Sequence, residues 1–473
     1  MRQNRNYGIV ARLAVEDIEN NAVVVGEEPV AAPVEAGADS VEAELVEVNS
    51  DIVEVAQDEA IVDDAAEAVD ELEETAVALE SIAANGGLDR NGARVLNLHL
   101  ASINRRLGYP DNHKTMSVES FGGTADKVSS TKLAAESIAD KAKELWGKIV
   151  EMFRSAVQAI VNVWNRLFDG ATKLKARAEN LTKAANTAKA AGGGTFENQT
   201  LAANLSIGGV VDVKKAAAAV VHEASFLQAM TKASVQFAEQ ATRLIESGDT
   251  GLLTQLTQSV QGPATQGFAK VSDPASVGMA APGEGLELMK SEELPGNKAV
   301  VAIVPVAGAT AAALGKVGYK LGTFDASKKV AEKNELPVLS SGDIEAIAKQ
   351  VAQAADHLLS YKSAQKEAEA VAKKVIALAE KKAKETVRAE AGADAGVVDK
   401  AKAAGKALLA GSDERAIAKA AMSTVVNAAP PLAAFALNAG GYVLQYGEQS
   451  LKAAGKKTEA AKPEGAAAPA AKA

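Results

Sequence analysis

A chain of 473 residues has room for about two to four domains, but only 4% of it is aromatic and much of its apolar content is alanine. The absence of cysteine excludes disulfides, thiol nucleophiles and Cys-based metal sites. The net charge of −10 hides a division: residues 1–119 hold 25 acidic and 8 basic side chains, net −17, while residues 120–473 hold 36 and 43, net +7.

The first residues, MRQNRNYGIVARLAVEDIENN, lack the apolar core of a secretory signal. From Leu13 to Asp89 there are 23 carboxylates and no Lys or Arg, a block whose self-repulsion favours extension unless a partner absorbs the charge. Inside it, Val41, Leu45, Val48, Ile52, Val55 and Val62 follow a 3–4 spacing that would line one helix face. Val69, Leu72, Ala76 and Leu79 form a second seam, ended by Gly86-Gly87. Leu96, Leu100, Ile103 and Leu107 form a third, ended by Gly108 and Pro110. Residues 64–108 are therefore expected to be a helical hairpin.

A stretch without periodicity comes next, YPDNHKTMSVESFGGTADKVSS, and reads as a linker. Because it is aperiodic and contains Gly122-Gly123, the leader before it is expected to be dispensable for folding of the rest. Beyond it, Leu133, Ile138, Leu145, Trp146, Ile149, Phe153, Val157, Val161, Trp164 and Phe168 stripe one long amphipathic helix from about Ser130 to Phe168. Trp146, Phe153, Trp164 and Phe168 are its expected anchors. Residues 170–190 look helical and basic, and GGGTFENQTLAANLSIGG is a glycine-bounded break before a helix from about Asp212 to Ser247, whose buried face is Val220, Leu227, Met230, Phe237 and Leu244.

From about Gly285 to Phe324 the pattern changes. Pro295-Gly296-Asn297 separates two runs of strand type, and KVGYKLGTF could add a third strand to a small antiparallel sheet. Ser341-Gly342-Asp343 then offers a cap to a helix running to about Arg388, with Ile344, Ile347, Val351, Ala354, Leu358, Tyr361, Ala368, Ala372 and Val375 on its seam and polar Gln365 interrupting it. Two more helices are expected to flank Pro430-Pro431, and KKTEAAKPEGAAAPAAKA is of low complexity.

The organisation read from these features is an acidic leader over 1–119, a helical region over 120–284, a small β region over 285–328, a second helical region over 329–452 and a disordered tail over 453–473. The fold class is mainly α: an elongated bundle of long Ala-rich helices with a small antiparallel β insertion around 285–324, a partly disordered acidic leader and a disordered C-terminal tail. Alanine buries little apolar area, so long helices packed lengthwise are expected rather than a thick core.

No chemistry is advertised. The histidines at 99, 113, 222 and 357 are too far apart in sequence to suggest a metal site, and His222-Glu223-Ala224-Ser225-Phe226 carries Phe where a zinc protease needs its second imidazole. Gly308 to Gly315-Lys316-Val317 fails as a phosphate loop, with six residues between the glycines and Val in place of the Ser or Thr that would hold a magnesium ion. The expectation is a protein without catalytic residues, metal or cofactor. Ala420 to Gly447 is uncharged, but Asn427, Pro430-Pro431, Asn438, Gly440-Gly441 and Gln445 make it a poor membrane span. The basic excess after residue 119 lacks a cluster interleaved with aromatics, which predicts at most non-specific, salt-sensitive contact with DNA.

The junction holds Ser117-Val118-Glu119, then Ser120 and Phe121-Gly122-Gly123. With the acidic leader, the hairpin ending ALESIAANGGLDRNGARVLNLHLASINRRLG, and the helix ELWGKIVEMFRSAVQAIVNVWNRLF after MSVESFGG, residues 1–170 resemble the internal head proteins of large tailed bacteriophages. Precursors in that family are cut by a prohead protease after Glu, with a small residue two positions before it. The resemblance implies cleavage between Glu119 and Ser120, a leader that directs the precursor into the prohead, and residence in the head interior after a stage in the host cytoplasm. Its implied partners are the protease, capsid or scaffold core proteins, and packaged DNA. Ala14-Val15-Glu16, Ser40-Val41-Glu42, Ala65-Ala66-Glu67, Ala78-Leu79-Glu80 and Ala134-Ala135-Glu136 satisfy the same rule, but only Glu119 lies in an expected loop where the net charge reverses. Two other functions fit the pattern: a membrane-active amphipathic protein freed by leader removal, and a scaffold or adaptor that is never cut.

Overall fold

In the computed structural model the described residues are 61–62, 64–107, 117–122, 124–247, 267–306, 309–314, 316–323, 335–389, 415–422 and 429–460. The leader seam from Val41 to Val55, the residues around Gly308 and Gly315, and the tail after Ala460 lie outside them. The helix order is α1 (64–84), α2 (Arg90–Arg106), α3 (Thr124–Ala188), α4 (Gln199–Leu205), α5 (Val213–Ser247), α6 (Ala311–Leu314), α7 (Ser341–Ser360), α8 (Lys362–Ala389), α9 (415–422) and α10 (Ala429–Ala460).

The central element is α3, whose 65 residues span about 98 Å at 1.5 Å per residue. It continues well past the expected end at Phe168, because Gly170 is not a terminus. A Cβ there would approach Leu437 Cδ1 at 3.3 Å, so the residue sits where α10 crosses closely. Termination comes at Lys189, with φ of 43°, and then Gly192, Gly193 and Gly194 in the left-handed region. The end is tied down: Ala190 N–H donates to Ser341 Oγ at 2.6 Å, and Ser341 N–H donates to the Ala190 carbonyl at 2.9 Å.

Along its C-terminal half, α3 packs with α5, α7 and α10 as a four-helix bundle. Small residues let the axes approach. A Cβ on Gly440 would meet Leu174, Val351 and Val220 at 3.0, 3.3 and 3.7 Å, so side chains from three helices crowd the α10 backbone there. Ion pairs fix the rotation of the helices. Arg177 donates to both carboxylate oxygens of Glu448, Lys175 pairs with Asp356 at 2.7 Å, Arg154 pairs with Glu380, and Lys214 pairs with Asp343 at 2.6 Å. Pro430-Pro431 lie in the first turn of α10 rather than between helices, where their missing N–H groups cost nothing. That helix extends to Ala460, beyond the expected start of the tail at 453.

The expected helix from Ser341 to Arg388 is broken at Tyr361. Its cap is Ser340, whose hydroxyl accepts from Asp343 N–H at 3.2 Å and donates to the Asp343 carboxylate. At the break the Tyr361 ring stacks on Trp164, 4.4 Å between centroids, and its hydroxyl meets Thr231 Oγ1 at 2.5 Å. All nine seam residues expected here are buried.

The β insertion is a four-stranded antiparallel sheet in the order β4-β5-β6-β7, formed by Ala269–Lys270, Leu286–Lys290, Lys298–Pro305 and Gly318–Thr323. The central strand β6 is buried on both faces from Ala299 to Val304, which accounts for its unbroken apolar run. Gly296 and Asn297, with φ of 72° and 55°, turn the chain between β5 and β6. Two ribbons were not expected. Thr195–Glu197 (β1) pairs antiparallel with Glu335–Pro337 (β8), and Ser206–Ile207 (β2) pairs with Val210–Val211 (β3) across Gly208-Gly209. Phe196 meets Tyr446 edge to face at 5.2 Å, pinning the first ribbon to α10.

Helices α1 and α2 form the expected hairpin, turned by Gly86 and Gly87 with φ of 108° and 81°. Asp89 caps α2 by accepting from Gly92 N–H at 2.7 Å. The hairpin does not stand apart. Its buried seams join the same hydrophobic core as α3, and Leu88 N–H donates to Thr131 Oγ1 at 2.8 Å. A Cβ on Gly87 would come within 2.6 Å of the Lys127 backbone, and Lys141 Nζ donates to Asn104 Oδ1. The expectation of a leader separable at an aperiodic linker meets this packing instead, since loss of periodicity in the chain does not prevent close association across it. Within α3, Leu133 departs from the expected stripe: it is 63% exposed, and neighbouring Ala134 and Ala135 face inward.

Candidate functional site

The junction motif is described from Ser117 to Gly122. Ser117 is extended, with φ of −64° and ψ of 113°, and Val118–Phe121 form one 3-10 turn. Ser120 N–H donates to the Ser117 carbonyl at 3.2 Å, and Gly122 N–H donates to the Glu119 carbonyl at 3.2 Å. Ser130 Oγ donates to the Ser120 carbonyl at 2.9 Å. The side chains of Ser117, Glu119 and Ser120 are exposed, Val118 is half-buried against the core, and Phe121 is buried. The motif thus presents its small residue and its carboxylate to solvent, while Phe121 nails the far side of the turn to the protein.

An extended strand in a protease cleft alternates side chains and offers its N–H and C=O groups outward. Here both atoms flanking the Glu119–Ser120 bond are engaged within the turn, so binding requires that the two 3.2 Å bonds open. These are long, exposed bonds, each contributing about 0.5–1.5 kcal/mol net, a small barrier to local opening. Gly122 closes the turn by donating to the Glu119 carbonyl. It also makes room for Arg90, since a Cβ there would lie 2.7 Å from the Arg90 guanidinium.

Three of the competing small-x-Glu sites are less available. Ala65-Ala66-Glu67 and Ala78-Leu79-Glu80 lie within α1 and Ala134-Ala135-Glu136 within α3, and in each the middle residue is buried. Unwinding a long packed helix costs far more than opening one turn. The sites ending at Glu16 and Glu42 lie outside the described residues.

The four aromatic anchors are all buried. Trp164 stacks on Phe168 at 5.4 Å as well as on Tyr361, and Lys362 Nζ lies 5.8 Å from the Phe168 ring centroid. A bilayer-inserting role for this helix would require these rings to leave intramolecular partners. Among the described residues no helix is long and apolar enough to cross a membrane.

Two features escaped sequence reasoning. Arg415, on α9, pairs with Glu73 of α1, lies 5.9 Å from the Trp146 ring centroid, and is also drawn toward Asp70. Burial pushes its guanidinium down to about 10, with Asp70 acting in the opposite direction. Nothing in a run such as GSDERAIAKA distinguishes this Arg from a solvated one. The second is Phe226, where a zinc protease would need His: it stacks on Phe268 at 5.6 Å and meets Tyr319 edge to face at 6.3 Å, joining α5 to the sheet.

Among the described residues no group of three or more His, Cys, Asp or Glu is placed to hold a metal ion. His99 faces Thr75 Oγ1 at 3.1 Å, and His222 bonds to the adjacent Glu223 at 3.2 Å. His113 lies outside the described residues. No curated protein and no solved structure matches the chain. The family model of phiKZ-like phage internal head proteins does, over residues 41–429.

Proposed function

The chain belongs to the phiKZ-like phage internal head proteins, structural components of the head interior, and from that premise we propose that it is made as a precursor and cut by a prohead protease between Glu119 and Ser120. Residues 1–119 then serve as a leader that draws the precursor into the prohead core among capsid or scaffold proteins. Cleavage separates a net −17 segment from a net +7 chain. Dense DNA repels carboxylates and tolerates a modest cationic excess, so residues 120–473 supply the surface that can meet packaged DNA through non-specific, salt-sensitive contacts.

The observation that carries this reading is the exposure of Ser117 and Glu119 on a single short turn at the point of charge reversal, whereas the motifs ending at Glu67, Glu80 and Glu136 lie within long packed helices. The protease would read the Glu119 carboxylate through charge-assisted hydrogen bonds worth about 1.5–3 kcal/mol each. Glu119→Gln should therefore slow cutting at least about tenfold, Ser117→Trp should block it by size, and Val118→Thr should be tolerated. N-terminal analysis of protein isolated from mature particles is the direct test. A species starting at Ser120 supports the reading, and a full-length chain left uncut between Glu119 and Ser120 overturns it.

A further inference from the structure

We propose that the α1–α2 hairpin stays seated on the body after the chain is cut at Glu119, so that the processed protein is a two-chain complex clasped by Arg415. The proposal rests on cleavage at Glu119 and concerns the fate of the two pieces. The hairpin touches the rest of the molecule on more than one side. On one flank of α1, Thr75 and Glu71 meet His99 and Arg106 of α2. On the other flank, Glu73 pairs with Arg415. Leu72, Ala65 and Ala76 lie between the two flanks on the helix wheel, and each is 1% exposed. Residues so placed and so buried are covered by the body as well as by α2.

None of these contacts passes through the junction. The Glu119–Ser120 bond lies on a surface turn, whereas the clasp is formed between α1 and α9, which are separated by more than three hundred residues in sequence. Cutting the chain therefore removes a tether but no packing. Departure of the hairpin would expose its apolar seams to water and leave Arg415, whose side chain is 17% exposed, without its carboxylate. Loss of one member of a buried ion pair is strongly unfavourable, because the partner keeps its desolvation penalty.

An added protease separates this inference from natural processing. A recognition sequence for a site-specific protease is inserted between Glu119 and Ser120 in the full chain, which is then cut in vitro and run on a sizing column in native buffer. The expected result is co-elution of the two fragments at equal stoichiometry, with separation only in denaturant; separation in native buffer overturns the proposal. Glu73→Ala should raise the dissociation constant of the cut complex about tenfold or more, while Glu67→Ala, at an exposed position of the same helix, should leave it unchanged. Equal effects of the two would overturn the role given to Arg415. Because the cut is made by an added protease, failure here leaves natural cleavage at Glu119 standing. Conversely, an uncut chain from particles would leave the clasp standing.

Discussion

Trp164 anchors a chain of contacts: its ring stacks on Phe168 within α3 and on Tyr361 at the α7–α8 break, and the Tyr361 hydroxyl in turn reaches Thr231 on α5. Truncating a buried Trp typically costs about 3–5 kcal/mol, through lost transfer energy and the cavity left behind. Trp164→Ala should accordingly lower the melting temperature by several degrees, and Trp164→Phe by clearly less; an unchanged thermal curve by circular dichroism would contradict the packing. His222 carries a pH signature. The hydrogen bond to Glu223 raises its pKa above the ordinary histidine value, so the stabilisation is fully present below the unfolded pKa and is lost as pH rises through the folded one. The imidazole is 69% exposed, and screening keeps the effect small. In denaturant titrations, His222→Gln should reduce stability at pH about 5 and converge with the parent at pH about 8.5.

At the scale of elements, glycine has opposite meanings along α10. Gly441 has nothing within 4 Å of an added Cβ, so Gly441→Ala should stabilise by about 0.8–1 kcal/mol through helix propensity. A Cβ on Gly447 would lie 2.8 Å from Leu181 Cδ2 and 3.3 Å from Ile344 Cγ2, and Gly447→Leu should destabilise by about 1–3 kcal/mol or more through overpacking. Chemical denaturation of the pair checks both signs. The same helix explains what the sequence made legible. Periodic runs of large apolar residues, as in Val220 to Leu244 or Ile344 to Val375, identify buried faces because period is a property of the local chain. The long helix reads as ending near Phe168 because its stripe of large apolar residues stops there, and the role of Gly170 in letting Leu437 approach exists only in the folded bundle. Tyr361 looked like one more seam residue because its ring partner lies 197 positions earlier. The β1–β8 ribbon, three residues a side with 137 residues between its strands, left no local pattern at all. At the junction the motif residues were legible, but their folding into a 3-10 turn was not, since Phe121 is held by burial rather than by any turn signal.

For the molecule as a whole, α3 runs unbroken from the turn after Phe121 through the bundle of α5, α7 and α10, so the hairpin region and the bundle share one structural member. Thermal unfolding of the full chain should proceed as one cooperative transition. A chain beginning at Ser120 should melt several degrees lower, because the N-terminal part of α3 then loses its cover. Two separated transitions in calorimetry would show that the two ends of α3 unfold independently. The protein's two tryptophans also stand at different places along this helix, Trp164 inside the bundle and Trp146 beneath Arg415. Their positions make them separate optical gauges. With Trp164 replaced by Phe, the remaining indole emits from beside the α1–α9 contact, where water arriving at the ring shifts its fluorescence to longer wavelength. The fate of the hairpin inside an assembling particle is thereby written into the colour of a single native side chain.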